Sequence, residues 1–391
     1  MRIIPLSEPR SAARLLASAH SRGGSMPRHR VTQTDVAALA GVSQATVSFV
    51  LSGRTPSGVR ISEETRQRVL DAIRITGYSV NPVAQRLAGG HNQILGVFTY
   101  ETTFPRGGRD FYGPFLVGIE HAAEQIGVDL LLFTSARVVE GSRRLTRSGW
   151  QRLGIADGCL LLGQHEERAE LQHLLDTNYP FVFLGRRESE GGRLPYVGAD
   201  YLAATKRATE RAADLGHRRI GYVGPTGSDE PTSDRLSGYR ALMAERGLPT
   251  QFIDPADPGQ TASEIAERQL SAVLLAPEVD PDELCRALAG RGISVPDDLS
   301  VLLLGQPHHR LPGPTLWSGF TIPREQMGAR ALLLLSRLAG TAGAREDEST
   351  TDLHQLLECT EVAGETLTAP RAPDGSANRL PAAPEQERNN A

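Results

Sequence analysis

The sequence predicts two kinds of structure in one chain: an N-terminal all-α helix–turn–helix headpiece and an α/β two-lobed core. Three observations predict it. Residues 32–53, TQTDVAALAGVSQATVSFVLSG, hold two short apolar-periodic segments broken at Gly41. From Ile94 onward, strand-length apolar runs alternate with amphipathic segments, and the alternation restarts near residue 200. Charge divides at the same place: residues 26–90 hold eight arginines against four acids, a net of +4, whereas residues 91–391 carry −11. A basic head on an acidic body is the electrostatic footprint of a nucleic-acid binder whose body does something else.

Residues 1–25 carry four arginines and one glutamate. They read as an N-terminal extension, either a disordered basic arm or a stretch upstream of a start at Met26. The headpiece is expected over 26–80. Thr34 reads as the cap of its first helix, with Asp35 in the first turn, where an acid meets the positive end of the helix dipole. Val36, Ala37, Leu39 and Ala40 form an apolar stripe at helical spacing. Gly41 suits the left-handed residue that ends a helix, and Val42 plugs back between the two helices. Ser43 caps a second helix, Gln44–Leu51, on which Val47, Val50 and Leu51 point to the core and Gly53 is the stop. A short second helix of this kind fits a major groove, where base edges are distinguishable. The same pattern also fits a generic antiparallel helix pair, but residues 61–90 favour the first reading. Residues 61–78, ISEETRQRVLDAIRITGY, give a third helix capped by Ser62, with Val69, Ala72 and Ile73 inside and Gly77 as its stop. Asn81–Pro82 then opens a segment, 82–88, too short to be stable alone.

Together TDVAALAGVSQATVSFVLSG, ISEETRQRVLDAIRITGY and NPVAQRLAGG make residues 31–90 resemble the headpiece and hinge of the LacI/GalR family of bacterial repressors. The resemblance implies a sequence-specific DNA-binding regulator that binds a near-palindromic operator as a homodimer. By it, Gln44, Ala45 and Phe49 take base-reading positions, and Thr32, Ser43, Thr46 and Ser48 become candidate phosphate anchors, which position without specifying. Asn81, Ala84 and Leu87 fall in a hinge helix within residues 81–93. Leu87 takes the place of the leucine that wedges into the minor groove; a dimer-core leucine is the alternative, and the two roles are compatible. Phe49 stands where many relatives have a polar reader, so its readout is limited to a thymine methyl or to sugar.

The core is expected over 94–368. Strands read at Ile94–Thr99, Val128–Phe133, Asp157–Leu162 and Pro180–Leu184, with helices over 112–126 and 167–177 between them. The second half repeats the scheme. Helices read at 200–215, Asp234–Arg246, 281–290 and 323–338; strands read at Ile220–Val223, Ala272–Leu275 and Leu299–Leu304. Such alternation means doubly wound parallel sheets. Two halves in series point to two lobes with a ligand cleft at the carboxyl ends of strands. DGCLLLG, LGHRRIGYVG, RLSGYRALMAERGLP, GISVPDDLSV and PREQMGARALLLL extend the resemblance to about residue 368 and imply a periplasmic-binding-protein-like core. Residues 369–391 are Pro/Ala/polar and read as a disordered tail without apolar heptads.

The resemblance also implies a small-molecule effector between the lobes. Phe111 and Tyr112 match its aromatic pair, and Arg235 matches the arginine that clamps the ligand. Three other positions depart from the pattern. Gly185, Pro277–Glu278 and Gly305 stand where the family carries the carboxylates and amide that hold sugar hydroxyls. A site without those hydrogen bonds binds a simple sugar poorly. Two readings stay open: an anionic or more apolar ligand met by Arg235, Arg186 and Arg187, or a cleft with no ligand. Arg186 and Arg187 also read as a solvated loop pair.

No catalytic residues, cofactor site or metal site are expected. An α/β enzyme with a regulatory head needs a phosphate-cradling glycine loop and a catalytic acid, and neither pattern is present. His308–His309 lack companion ligands at metal-binding spacing. Cys159, Cys285 and Cys359 are far apart, which suits a reducing cytosol and argues against a disulfide scaffold. No apolar run reaches membrane length. The resemblance implies a cytoplasmic setting, on the nucleoid.

Overall fold

A computed structural model describes residues 31–52, 60–78, 91–101, 111–135, 137–139, 142–145, 147–163, 168–188, 194–227, 229–255, 257–307, 315–341 and 352–371. The expected hinge contacts Asn81, Ala84 and Leu87 lie outside these residues, as do Gly53, His308–His309, the extension over 1–25 and the tail beyond Arg371. The chain divides into two compact units, one ending at Gln85 and one beginning at Arg86.

The first unit holds helices α1 (Gln33–Ala40), α2 (Gln44–Ser52) and α3 (Glu63–Thr76). Their buried side chains, Val36, Ala37, Ala40, Val47, Val69 and Ala72, form one core, against which Val42, Val50, Leu51 and Ile73 pack. Gly41 ends α1 at φ 66° and Gly77 ends α3 at φ 61°, the left-handed backbone in which glycine carries no Cβ penalty. Two readings are corrected here. The cap of α1 is Thr32, two residues before Thr34. Thr32 Oγ1 accepts from the Asp35 amide while Asp35 accepts from the Thr32 amide at 2.8 Å, a reciprocal capping box. Leu39 is 51% exposed, because the three-helix core is narrow and Val36, Ala37 and Ala40 already fill the contact face of α1.

The second unit contains two six-stranded sheets. Its elements run β1 (Ile94–Thr99), α4 (Gly113–Ile126), β2 (Asp129–Phe133), β3 (Arg137–Val139), β4 (Ser142–Arg144), α5 (Arg147–Leu153), β5 (Gly158–Leu162), α6 (Arg168–Asp176), β6 (Phe181–Leu184) and β7 (Tyr196–Ala199). They continue with α7 (Tyr201–Asp214), β8 (Ile220–Val223), α8 (Glu230–Glu245), β9 (Gln251–Ile253), α9 (Pro258–Glu267), β10 (Ala272–Leu275), α10 (Pro281–Ala289) and β11 (Ser300–Leu304). The last are β12 (Ser318–Thr321), α11 (Arg324–Ala339), β13 (His354–Leu357) and β14 (Thr360–Ala363).

The first sheet runs β13-β7-β6-β5-β1-β2 and the second β14-β12-β11-β10-β8-β9. Both sheets are parallel except for the β12–β14 pair. In each, strand order reverses beside the first strand of the lobe, which opens a crevice at the carboxyl ends. The strands beside that point are continuous apolar runs because helices cover both faces: β5 and β10 are buried throughout.

The lobes are not simply in series, as the order of predicted elements implies. Helix α11 packs on α4 and on β5, β6 and β7, so it belongs to the first lobe although it comes after the second. Strand β13 joins the first sheet and β14 returns to the second. The chain therefore passes between lobes after Ala199, after Thr321 and after Leu357. Gly118 of α4 and Gly328 of α11 permit the α4–α11 contact: a Cβ on Gly118 would meet the Glu325 carbonyl oxygen at 1.9 Å, and one on Gly328 the Phe115 oxygen at 2.2 Å. Helix α8 starts at Glu230, ahead of the expected Asp234, because Asp229 accepts from the Thr232 amide at 3.0 Å and Pro231 sits in the first turn. The described chain also continues past 368: Pro370 approaches Gly216, and Arg371 pairs with Asp298 at 3.1 Å.

Candidate functional site

Two places carry candidate chemistry. The first is the α1–α2 pair, where the chain bends by 104° between the helices, the geometry of a helix–turn–helix. Ser43 Oγ accepts from the Thr46 amide at 3.2 Å and shares a 2.9 Å hydrogen bond with the Thr46 hydroxyl, so Ser43 caps α2 as expected. Val47 is fully buried and anchors the helix. That rotation leaves Gln44 and Ala45 exposed at its N-terminal end, with Thr46, Ser48 and Phe49 half-buried. Thr32 and Ser43, the other expected phosphate anchors, are exposed. The N-terminus of such a helix presents amide N–H groups and a positive dipole end, both suited to phosphate oxygens.

The second place is a cavity of about 320 Å³ in the crevice between the two sheets of the body. One wall comes from the first lobe: Phe111 and Tyr112, Leu162–Gly163 at the end of β5, Leu184–Gly185 at the end of β6, and Arg187, with Arg324 and Met327 of α11. The facing wall comes from the second: Tyr201, Asp229, Thr232 and Arg235 at the starts of α7 and α8, Pro277–Glu278 after β10, and Ile322. These residues cluster at carboxyl ends of strands and amino ends of helices because that is where both sheets open.

Phe111, Tyr112 and Arg235 stand where the sequence motifs place them, on the cavity. Arg186 and Gly305 do not line it. The Arg186 guanidinium instead donates to Asp234 of α8, Nε to Oδ2 at 2.8 Å and Nη2 to Oδ1 at 2.7 Å. Hydrogen bonds to Asp234 and Glu188 raise its pKa further above the usual arginine value. Gly305 lies behind the wall, where a Cβ would touch Ile322 and Pro277. Arg187 is a lining residue and is not solvated: it is buried, donates to the carbonyls of Arg186 and Gly163 at 2.8 Å, and stacks 4.3 Å from the Phe183 ring centre.

The Arg235 guanidinium lies 4.1 Å from the Tyr201 ring centre and donates to the carbonyls of Leu304 at 3.0 Å and Pro231 at 3.2 Å. Tyr112 donates to Glu101, and burial, with that carboxylate second, pushes its phenol well above the ordinary range. Burial also raises Tyr222, behind this wall, to about 12. Neither phenol is poised to exchange protons near neutrality, which suits binding more than acid–base chemistry.

Sequence reasoning missed Arg324. It is buried, it lines the cavity, and its guanidinium stacks 4.7 Å from the Phe111 ring centre. The signal was spacing: Arg324 shares a helix face with Met327, Gly328 and Ala331, so a charge stood on an otherwise buried stripe.

Comparison with known proteins identifies relatives of both units of the chain. Residues 32–81 match the family model described as bacterial regulatory proteins, lacI family. Residues 104–281 match the periplasmic binding proteins and sugar binding domain of that family, and residues 209–363 a periplasmic binding protein-like domain. The HTH-type transcriptional regulator CelR of Thermobifida fusca is 28% identical over 327 residues, 80% of this chain and 93% of the relative. An HTH-type transcriptional regulator encoded in the aml 5' region of Streptomyces limosus is 30% identical over 283 residues, 68% of this chain and 76% of the relative. Among solved structures, the CelR–cellobiose complex superposes with a TM-score of 0.55 at 25% identity, covering 86% of this chain and 100% of that one. The lac repressor dimer bound to operator and an anti-inducer superposes at 0.62 and 22% identity over 87% and 99% of the two chains, a likeness of fold. With headpiece, two-sheet body and regulators of similar length in agreement, the chain belongs to the LacI family of bacterial regulatory proteins, and it is a DNA-binding transcriptional regulator, not an enzyme.

Proposed function

We propose that the protein is a homodimeric repressor that reads a near-palindromic operator through α2 and releases or grips it according to the occupancy of the interlobe cleft. The observation that carries this reading is the exposed N-terminal end of α2, Gln44 and Ala45, held out by the buried Val47. Gln44 is the residue with bidentate capacity, and adenine is the base whose major-groove edge matches it. Ala45 and Phe49 add apolar contact to thymine methyls. Thr32, Ser43, Thr46 and Ser48 anchor phosphates, and two heads on a two-fold body require two half-sites. Asn81, Ala84 and Leu87 complete the contact from the hinge, with Leu87 as a minor-groove wedge. The partners are double-stranded operator DNA, a second copy of the chain and a small molecule in the cleft, and the setting is the cytoplasm, on the nucleoid. Relatives in complex with operator or with cellobiose support both kinds of ligand for this chain.

The test is binding of the full chain to palindromic DNA, monitored by fluorescence anisotropy. Gln44→Ala is expected to weaken the specific site by roughly 5- to 150-fold, the value of one bidentate base contact, with little effect on random DNA. Leu87→Ala is expected to weaken it as well. Specific binding that survives both Leu87→Ala and deletion of residues 26–80 would overturn the reading.

A further inference from the structure

We propose that the cleft is built for an anion: a small polyhydroxylated molecule bearing one carboxylate or phosphate group, held by Arg187 and Arg324 of the first lobe and Arg235 of the second. The proposal deepens the reading of the cleft as a regulatory site and rests on it.

Three guanidiniums line one cavity, and each is at most 8% exposed. Each is laid on an aromatic ring, Arg187 on Phe183, Arg235 on Tyr201 and Arg324 on Phe111. Stacking fixes the plane of a guanidinium and lowers the entropy lost when its fork meets a planar acceptor. The three also converge. The positive charges of Arg235, Arg324 and Arg187 all act on the Tyr201 phenol, opposing the rise in its pKa that burial causes.

Arg235 shows most directly what the site wants. Among the described residues its hydrogen bonds go to two neutral carbonyls, and no carboxylate there lies within ion-pair distance of it. A guanidinium has five donors and no acceptor, so N–H groups remain to bind a ligand. A buried cation whose protein partners are neutral carbonyls is favoured by an anion placed beside it in the cavity.

A neutral sugar fits this wall less well. Each hydroxyl both donates and accepts, so it needs acceptors opposite it, and the arginines offer none. The cavity's carboxylates are Asp229, which spends Oδ1 on the Thr232 amide, and Glu278. Both come from the second lobe. They accept hydroxyl donors, which the guanidiniums cannot, and so can meet the hydroxyls of the ligand. Bidentate pairing with a carboxylate or phosphate is the contact that arginine forks make best.

The experiment uses the full-length protein in thermal-shift and calorimetric titrations. The probes are D-glucuronate, D-glucose 6-phosphate, D-glucose and cellobiose. One or both acids are expected to raise the melting temperature where D-glucose does not, and added sulfate is expected to compete. A response to glucuronate alone assigns a carboxylate ligand, and a response to the phosphate alone assigns a phosphate. Arg324→Gln is expected to weaken the acid at least tenfold and Arg324→Lys to recover part of that loss, with ligand-free melting as the folding control. If the variants do not fold, sulfate competition on the unmodified chain decides. Protection by D-glucose or cellobiose without any response to either acid overturns the anion assignment and leaves the regulatory cleft standing. No response to any probe overturns the assignment too. Acid binding that leaves operator affinity unchanged sinks the regulatory reading and keeps the anion site.

Discussion

Arg186 of the first lobe and Asp234 of the second are joined by two hydrogen bonds, at 2.8 and 2.7 Å, across the mouth of the cleft. Beside them the Glu188 amide donates to Glu230 at 3.1 Å, and Arg187 lies 3.7 Å from the same carboxylate. The pair is shielded, with side chains 18% and 14% exposed, so water screens it less than a surface bridge. Asp234→Asn is expected to destabilise the body by about 2 kcal/mol, since it breaks this shielded pair and leaves Arg186 only the exposed Glu188 carboxylate, 2.6 Å away. Calorimetric melting measures this. An unchanged midpoint would mean that desolvation cancels the bond. A second readout is faster exchange of ligand into the cleft, because the same bridge restrains lobe opening.

The capping box of α1 is a second point of attack. Thr32→Ala removes a hydroxyl that accepts the Asp35 amide and donates to its carboxylate at 2.8 Å. The expected loss is about 1 kcal/mol of helix stability, seen as faster hydrogen exchange in α1. Thr32→Ser should keep the cap. If Thr32 also anchors a phosphate, Thr32→Ala weakens DNA binding on all sequences alike.

The α4–α11 contact admits no side chain at its centre. Gly118→Ala sets a methyl against the Glu325 carbonyl and Gly328→Ala sets one against the Phe115 carbonyl. Backbone must move in both cases, and each is expected to cost about 3 kcal/mol or more. Phe115, Arg324 and Met327 ride on these helices and line the cleft. Either variant that still folds is therefore expected to lose ligand affinity, which calorimetry would show.

His217 sets a pH dependence. It is buried, its Nε2 donates to the Thr368 carbonyl at 2.7 Å, and its Nδ1 meets the Ser271 hydroxyl at 2.9 Å. Burial lowers its pKa and the carbonyl only partly opposes this. The folded state thus binds a proton less readily than the unfolded chain, where His titrates near 6.5. Stability from this group is complete above about pH 6.5 and declines as pH falls below it toward the folded pKa. His217→Gln is expected to be less stable at pH 7.5 and to show a flatter melting-temperature profile between pH 7 and 5. Equal slopes in both proteins would refute the assignment.

Much of the fold was legible because local rules act within a few residues. Ser43 and Ser62 cap as read, Gly41 and Gly77 stop their helices, and β1, β5, β8, β10 and β11 fall within a residue of their expected bounds. The short strands β7, β9, β12, β13 and β14 were not read, since three or four residues carry too little periodicity. The site was legible in part. Arg235, Phe111 and Tyr112 could be placed by motif, whereas Arg186 and Arg187 were indistinguishable as neighbours in FLGRR until packing turned one toward Asp234 and the other toward the cleft.

The sequence by itself determined a helix–turn–helix head on a two-sheet α/β body, because caps, stops and apolar periods are local. Only the tertiary structure decided that α11 serves the first lobe, that the chain passes between lobes three times, and that Arg324 joins Arg187 and Arg235 around one cavity. These depend on which surfaces bury each other across long stretches of chain, and no local preference encodes that choice.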